Sequence, residues 1–465
     1  MAVDTPSEYY AENRNRWRKC RDFVEGSDRV KDGGELYVPR PSGLNDKEFR
    51  DYIQRGAFFN ASQRTVDSLV GLVMAKPPVV EMGAGLAALA DYIDGAGSTA
   101  EDFARDAVFD VLVTGGGCAV VDRPETPRGV TTRRQEQEMG LRPYASWYPV
   151  ENVLEWRYGQ INGKRELVWL KLSETWEETV DEWTVKARPQ VRVFDMVEGA
   201  ARCRVFRQQA DGWAVYSETF LRRSNGTPFP YVPAVMFGPV KNEPEKSPIL
   251  DLIEVNRSHW QNSVDLEHGL HFTGLPTAYV SGHAFGDDEV VKLGSKTLFA
   301  FDEVGAKLEF ASFGSEGLAG LEKALDRKEQ QMAALGARML MPEGSQAESG
   351  EALAIRRGGE NSALGKLADS VSRCMELTLE TMGEWEGISD SVSFRLNTDY
   401  LPTAMTAQEL TAAIAAVDRG YMSQQEFFEL LKAGGQVRDD KTYEEHAEEV
   451  AGFADRPIDG DGDEG

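Results

Sequence analysis

The feature that most constrains this chain is a double change in the period of its apolar residues. In the first 115 residues they recur at helical spacing. Tyr10, Trp17, Cys20 and Phe23-Val24 do so first, then Val66, Leu69, Val70 and Val73, then Phe103, Ala107, Val108, Val111 and Leu112. From about 144 to 240 the period becomes two: Val168, Leu170 and Leu172 alternate, as do Val191 and Val193, and Cys203 and Val205. Asn162-Gly163 and Asp211-Gly212 are hairpin turns in this stretch, because both dipeptides accept positive φ. Trp147, Trp156, Trp169, Trp183 and Trp213 lie in or beside these strands and are expected to pack the sheet. Beyond 247 the helical period returns. Helical stripes flanking a period-two region give an α+β chain, and 465 residues suggest about two to four structural units.

The second helical region is the more regular. Ile249, Leu252, Ile253, Trp260 and Val264 mark a helix over 247–271. A non-helical stretch of about 40 residues follows, with Pro276 and turns at Ser281-Gly282 and Gly286-Asp287. Then Leu318, Leu321, Leu325, Lys328, Met332, Leu335 and Met339 step by threes and fours, with Lys328 the one charge in the seam. A helix over 316–339 is roughly 36 Å long. Pro342, Gly344 and Gly350 break it. A further long helix over 351–386 carries Leu364, Leu367, Val371, Cys374, Thr378, Met382 and Trp385 on one stripe, and Gly358-Gly359 mark a kink in it. A strand is expected over 392–396. Capping boxes at Thr406 to Glu409 and Ser423 to Glu426 then open two short helices. A third helix near 439–452 precedes a ragged acidic end.

Charge and motif content exclude several function classes. The net charge of −26 makes it unlikely that the overall field holds nucleic acid, which needs clustered Lys and Arg. One basic cluster exists, Arg14, Arg16, Arg18, Lys19 and Arg21 on the first helix. One reading of it is a nucleic-acid arm; the favoured one, since Trp17 is the only aromatic residue in the run, is a solvated or intersubunit face that pairs with acids elsewhere. The four scattered cysteines form no CxxC pair and read as reduced thiols of a chain made in the cytoplasm. No apolar run reaches about 18 residues, and the N-terminus lacks a signal-peptide pattern, so no membrane association is expected.

Catalytic and cofactor signals are nearly absent: there is no HExxH, GxSxG, Walker A or GxGxxG. The chain is therefore expected not to be an enzyme, and to hold neither cofactor nor metal. Gly115-Gly116-Gly117 follow a helix and precede a strand, the reverse of a phosphate loop, and read as a helix C-cap. Gly294-Ser295-Lys296-Thr297 lacks the first glycine of a P-loop. His268 and His271 have no third ligand nearby in sequence, and Asp459, Asp461 and Asp463 end before a calcium loop could close. The C-terminal helices are too acidic to read DNA and are expected to form a packed αα-hairpin.

The order of these parts resembles the core of tailed-bacteriophage portal proteins, the head-to-tail connectors. Trp17-Arg18-Lys19-Cys20-Arg21-Asp22, Tyr37-Val38-Pro39-Arg40-Pro41 and Asn60-Ala61-Ser62-Gln63-Arg64-Thr65-Val66 also resemble a branch of that family often labelled only as phage proteins of unknown function. Gly71-Leu72-Val73, Asp265-Leu266-Glu267-His268-Gly269-Leu270-His271, Leu275-Pro276-Thr277 and Gly420-Tyr421-Met422-Ser423 fit as well. The resemblance covers most of the chain; its specific part is the order of the motifs, none of which is catalytic.

The resemblance implies a portal-like fold. A β-rich wing over 1–245 would be completed by a strand over 388–402. Stem helices would span 246–271 and 316–339, with the seam Leu318, Leu321, Leu325, Met332 and Leu335. A clip would span 272–315. A tunnel loop over 340–350 would turn Pro342, Glu343, Gln346 and Glu348 toward DNA. A kinked helix over 351–387, bent at Gly358 and Gly359, would lead to a crown over 403–455 and a disordered acidic tail over 456–465. It further implies a homo-oligomeric ring of twelve subunits at one capsid vertex, assembled in the host cytoplasm. Such a ring passes double-stranded DNA without sequence specificity during packaging and ejection. Its partners would be the major capsid protein, the terminase, and head-completion, adaptor or tail proteins. An acidic loop suits sliding, since it offers phosphates few counterion-releasing contacts. The alternative is another virion structural protein, a minor capsid or scaffold component.

Overall fold

The computed structural model describes residues 2–124, 133–209, 211–274, 277–282, 304–311, 316–340 and 362–400, with most of 413–447. The helices are α1 (Glu8–Glu25), α2 (Ser27–Asp32), α3 (Asp46–Arg55), α4 (Ala61–Val73), α5 (Ala84–Ala90), α6 (Ala100–Thr114), α7 (Arg133–Glu138), α8 (Leu250–Gly274), α9 (Glu316–Arg338), α10 (Ala363–Glu386) and α11 (Gln424–Ala433). The strands are β1 (Val79–Glu81), β2 (Gly117–Asp122), β3 (Tyr144–Pro149), β4 (Val153–Ile161), β5 (Lys164–Thr179), β6 (Val185–Val197), β7 (Ala200–Gln209), β8 (Gly212–Phe220), β9 (Ala234–Phe237), β10 (Thr277–Ser281), β11 (Lys307–Ala311) and β12 (Ser393–Arg395). The mixture is α+β, with the periods changing where the sequence changes them. The chain divides into two compact units, one of residues 1–341 with 362–398 and one of 342–361 with 399–465.

Local chemistry sets the ends of the elements. Ser7 caps α1 by accepting from the Tyr10 amide. Thr99 and Asp102 form a capping box at the start of α6, and Asn45 and Glu48 form one at α3. Gly115 ends α6 with φ +87°, the left-handed cap expected of the triple glycine. Strands β4 to β8 form one antiparallel meander. Asn162-Gly163 turns its first hairpin, and Glu198-Gly199, whose glutamate is not a usual turn residue, does the same between β6 and β7 with both φ positive. Strands β3, β2 and β9 make a second sheet. Strand β12 pairs antiparallel with β1, Val80 opposite Phe394, which carries residue 394 back to the first hundred residues.

Helix α6 lies at the centre of the first unit. Its Ala104, Ala107, Val108, Val111, Leu112 and Val113 are wholly buried. Asp110 is buried as well, and its carboxylate accepts from Arg21 at 2.7 Å and from the Trp147 indole at 2.6 Å. Arg21 also reaches Glu151 at 2.9 Å, and Lys19 pairs with Glu254. Two of the five basic residues on α1 therefore pair with acids on distant segments, as a strongly acidic chain allows. Trp183 departs from its expected role: it stands at the tip of the β5–β6 hairpin and is 87% exposed, because neither neighbouring strand extends that far.

In the second unit, Ser423 and Glu426 form the expected capping box at the start of α11. Phe428 is buried against Tyr443 and His446 of the next helical turn. The box at Thr406 to Glu409 and the acidic tail lie outside the described residues. Among the described residues no helix is long and apolar enough to cross a membrane.

The foot of α8 is tied to the end of α6. Glu245 donates its amide to the Gly115 carbonyl, and the Ser247 hydroxyl donates to the Leu112 carbonyl. A Cβ at Gly115 would sit 2.1 Å from the Glu245 carbonyl oxygen, on a backbone that side chains disfavour. Gly115→Ala is expected to cost about 2 kcal/mol or more in urea unfolding; wild-type stability would show that α8 does not depend on this approach.

Candidate functional site

The part of the molecule with the most developed geometry is the helix pair α8–α9 and the strands between its arms. Helix α8 is covered on most of its circumference. Ile253, Trp260 and Val264 enter the core built by α1, α3 and α4, where Phe23, Tyr37, Tyr52 and Val66 are buried. Its opposite side receives α9. Gly269 lies beside Leu318, Ser258 beside Lys328, His259 beside Glu329, and Leu252 beside Met332 and Leu335, so the two helices run antiparallel. A Cβ at Gly269 would come within 2.5 Å of the Leu318 side chain, so the close approach there needs glycine or a shift of Leu318. Met332 is buried, while Leu318, Leu321, Leu325 and Leu335 are half-buried along the same edge of α9. Each such side chain, if fully buried, contributes about 1.5–3 kcal/mol.

Two polar groups interrupt this seam. The Lys328 ammonium donates to the Ser258 carbonyl at 2.8 Å, and burial pulls its pKa below the usual lysine value. The break in the heptad is thus closed by a hydrogen bond to the facing helix. His259 is buried with its ring 5.5 Å from Phe59 and its Nε2 3.4 Å from a Glu329 carboxylate oxygen. Apart from this approach to Glu329, neither ring nitrogen has a hydrogen-bond partner among the described residues. Burial lowers its pKa, and Lys328 pushes the same way, against the attraction of Glu329. Deeper on α8, Asn256 donates to Ser62 at 2.8 Å.

Beyond the end of α8, β10 and β11 pair antiparallel from Thr277 opposite Ala311 to Ser281 opposite Lys307. Tyr279 donates its hydroxyl to Glu309 at 2.7 Å, and the Tyr279 and Phe310 side chains are exposed. A two-stranded sheet of this kind is marginal in water without something to pack on.

The other end of α9 leads to α10. Gly336 faces Thr65 of α4, and the Met339 carbonyl accepts from the Leu364 amide. Ser362 caps α10, and the whole stripe from Leu364 to Trp385 is buried. Polar side chains of α10 receive the strand that follows it: Glu376 accepts from the Phe394 amide and Ser372 from the Leu396 amide. The part of this helix expected over 351–361, with Gly358 and Gly359, lies outside the described residues, as do Pro342, Glu343, Gln346 and Glu348 and the Gly294 to Thr297 stretch. His268 stands edge-on to Tyr52 and Phe272, with ring centroids 4.9 and 4.7 Å away, and so serves as an aromatic packing group. All four cysteines are buried; burial pushes the Cys20 thiol up to about 11 and the Cys374 thiol up to about 12. The pairing of His259 with Glu329 was not visible in sequence; the only local signal was Lys328, one residue away.

A family model described as a domain of unknown function, DUF4055, matches residues 248–386, from the foot of α8 to the end of α10. No curated protein matches the chain. Among solved structures, a chain in the virion of the native gene transfer agent (GTA) particle is 14% identical. That match covers 88% of this chain and 98% of the other, with a TM-score of 0.42. A chain from the neck of the empty GTA particle computed with C6 symmetry is 13% identical, covering 85% and 95%, with a TM-score of 0.41. A chain from the neck of the native GTA particle computed with C12 symmetry is 13% identical, covering 86% and 98%, with a TM-score of 0.37.

The lowered pKa of His259 means that folding favours its neutral form, so its contribution is full above its unfolded value of 6.5 and is lost as pH falls below it. Thermal melts at pH 7.5 and 5.5 are expected to show a smaller drop for His259→Phe than for wild type. Equal drops would show that His259 does not set the acid sensitivity of this seam.

Proposed function

We propose that this chain is a structural component of the head or neck of a phage-like particle. More finely, we propose that it is the portal, a ring that passes double-stranded DNA. The observation that supports this best is the helix pair. Helix α8 is rooted in the core of the first unit, α9 lies antiparallel along it, and a sheet that has two strands among the described residues lies between their ends. The same order carries the sequence resemblance to portal proteins: wing-like sheets, helix, short strands, helix, break, helix.

Several further features fit a ring. The meander leaves β4 and β8 as edge strands, and α9 offers one face to α8 while its outer face is exposed. Repeated heterologous contacts that close on themselves would cover such surfaces. The chain's strong negative charge and the acidic stretch of sequence with Glu343 and Glu348 suit a conduit that lets a polyanion move without gripping it. In this reading the protein is a scaffold, not an enzyme; a terminase supplies the work of packaging, and capsid, adaptor and tail proteins dock on the ring. Twelve copies is the expected number.

Two measurements test this. Purified protein is expected to form particles on the order of 600 kDa with a central hole in negative stain, by ring closure. A species that stays monomeric at all concentrations and salts, alone and with capsid components, would oppose the portal reading. Glu343→Lys with Glu348→Lys is expected to leave assembly intact and make the ring retain DNA at low salt, with release as salt rises. Unchanged retention would place this loop away from the channel.

A further inference from the structure

The β5–β6 hairpin is longer than the sheet that supports it. Strand β4 pairs with β5 only as far as Leu172, and β7 pairs with β6 only as far as Gln190. Beyond those points β5 and β6 pair with each other alone, through Thr179 opposite Val185. The result is a two-stranded arm, a form that is marginal in water by itself. Its tip is nevertheless well built. The Asp181 carboxylate accepts from the Trp183 amide at 2.8 Å, and the Val180 amide donates to the Thr184 carbonyl. This turn holds the Trp183 indole out in solvent, flanked by Val180 and Val185, which are 50% and 55% exposed. Around this apolar tip stand Glu177, Glu178, Asp181 and Glu182, against Lys186 and Arg188 on the returning strand; Arg188 pairs with Glu178 at 2.7 Å, and the arm keeps an acidic excess.

A surface of complementary character lies on α1. Tyr10, Arg14, Asn15, Trp17, Arg18 and Glu151 line an open cleft of about 460 Å³. Arg21 is shared between the Glu151 and Asp110 carboxylates, and the cations at the open rim are Arg14 and Arg18. Arg14 has no ion pair among the described residues, and Arg18 reaches only Asp22 of its own helix, at 3.4 Å, with its side chain 62% exposed. The cleft thus sets the half-buried Tyr10 ring, with Trp17 buried behind it, beside exposed guanidinium groups, which suits an indole carried on an acidic turn.

We propose that the tip of the β5–β6 arm, Val180 to Val185, docks into the α1 cleft of a second copy of this chain. Trp183 is the anchor, and Asp181 and Glu182 face Arg14 and Arg18. The contact is heterologous, with different surfaces on the two copies, and such contacts propagate into a ring or a filament. This rests on the ring reading above and adds to it the surfaces that would join neighbours.

The test uses the full chain. Trp183→Ala is expected to raise the concentration for half-assembly in mass photometry about tenfold or more, the usual effect of losing an aromatic anchor. Arg14→Glu with Arg18→Glu is expected to do the same, and Asp181→Arg with Glu182→Arg in that background to restore assembly. A second measurement mixes an Asn15→Cys protein with a Glu182→Cys protein under oxidising conditions. Cross-linked pairs that need both cysteines are expected; their absence would overturn the proposal. Wild-type rings that tolerate every variant, or a charge swap that fails to rescue, would overturn it while leaving the ring reading in place. Cross-linked pairs without rings would sink the ring reading and leave the docking contact standing.

Discussion

The arrangement depends on one constraint: helix α8 serves two neighbours at once. One side of it, Ile253, Trp260 and Val264, completes the core built by α1, α3 and α4. The other side, from Leu252 to Gly269, is the track on which α9 lies. A helix that buries most of its circumference has little freedom to rotate, because any turn would expose apolar surface on one side and crowd the other. Its direction is therefore set by the core, and α9 inherits that direction. The tie of its foot to Gly115 and Leu112 completes the fixing.

Polar groups give this packing its specificity. Asp110 is buried, and its carboxylate is matched by Arg21 and the Trp147 indole. Together they join α1, α6 and β3, three segments far apart in sequence. A buried carboxylate left without its partner is strongly destabilising, so this network admits few alternative packings of α1. Lys328 acts differently. A charge in an apolar seam disfavours burial, and its bond to the Ser258 carbonyl offsets that cost in the observed register. A slip by one turn would lose that bond and bring Leu318 away from Gly269.

Much of the architecture was legible because it follows from local chemistry. The period change near 144, the Asn162-Gly163 turn, the Gly115 cap and the Ser423 box each act over a few residues. The heptad from Leu318 to Met339 runs along the edge of α9 that is buried at Met332 and half-buried at Leu318, Leu321, Leu325 and Leu335. Long-range choices were not legible. The partner of the 392–396 strand, the acids that meet Lys19 and Arg21, and the exposure of Trp183 each depend on segments about ninety residues or more away, or on how far a neighbouring strand extends.

The sequence by itself determined the element types, most of their ends and the α+β class, because hydrophobic period, capping side chains and turn dipeptides act within a few residues of chain. The tertiary structure decided which charges are neutralised, which strands are left as edges and which aromatic residues face solvent. Those outcomes depend on which surfaces meet in three dimensions, and the free energy of burying a group is set by its partners there, not by its neighbours along the chain.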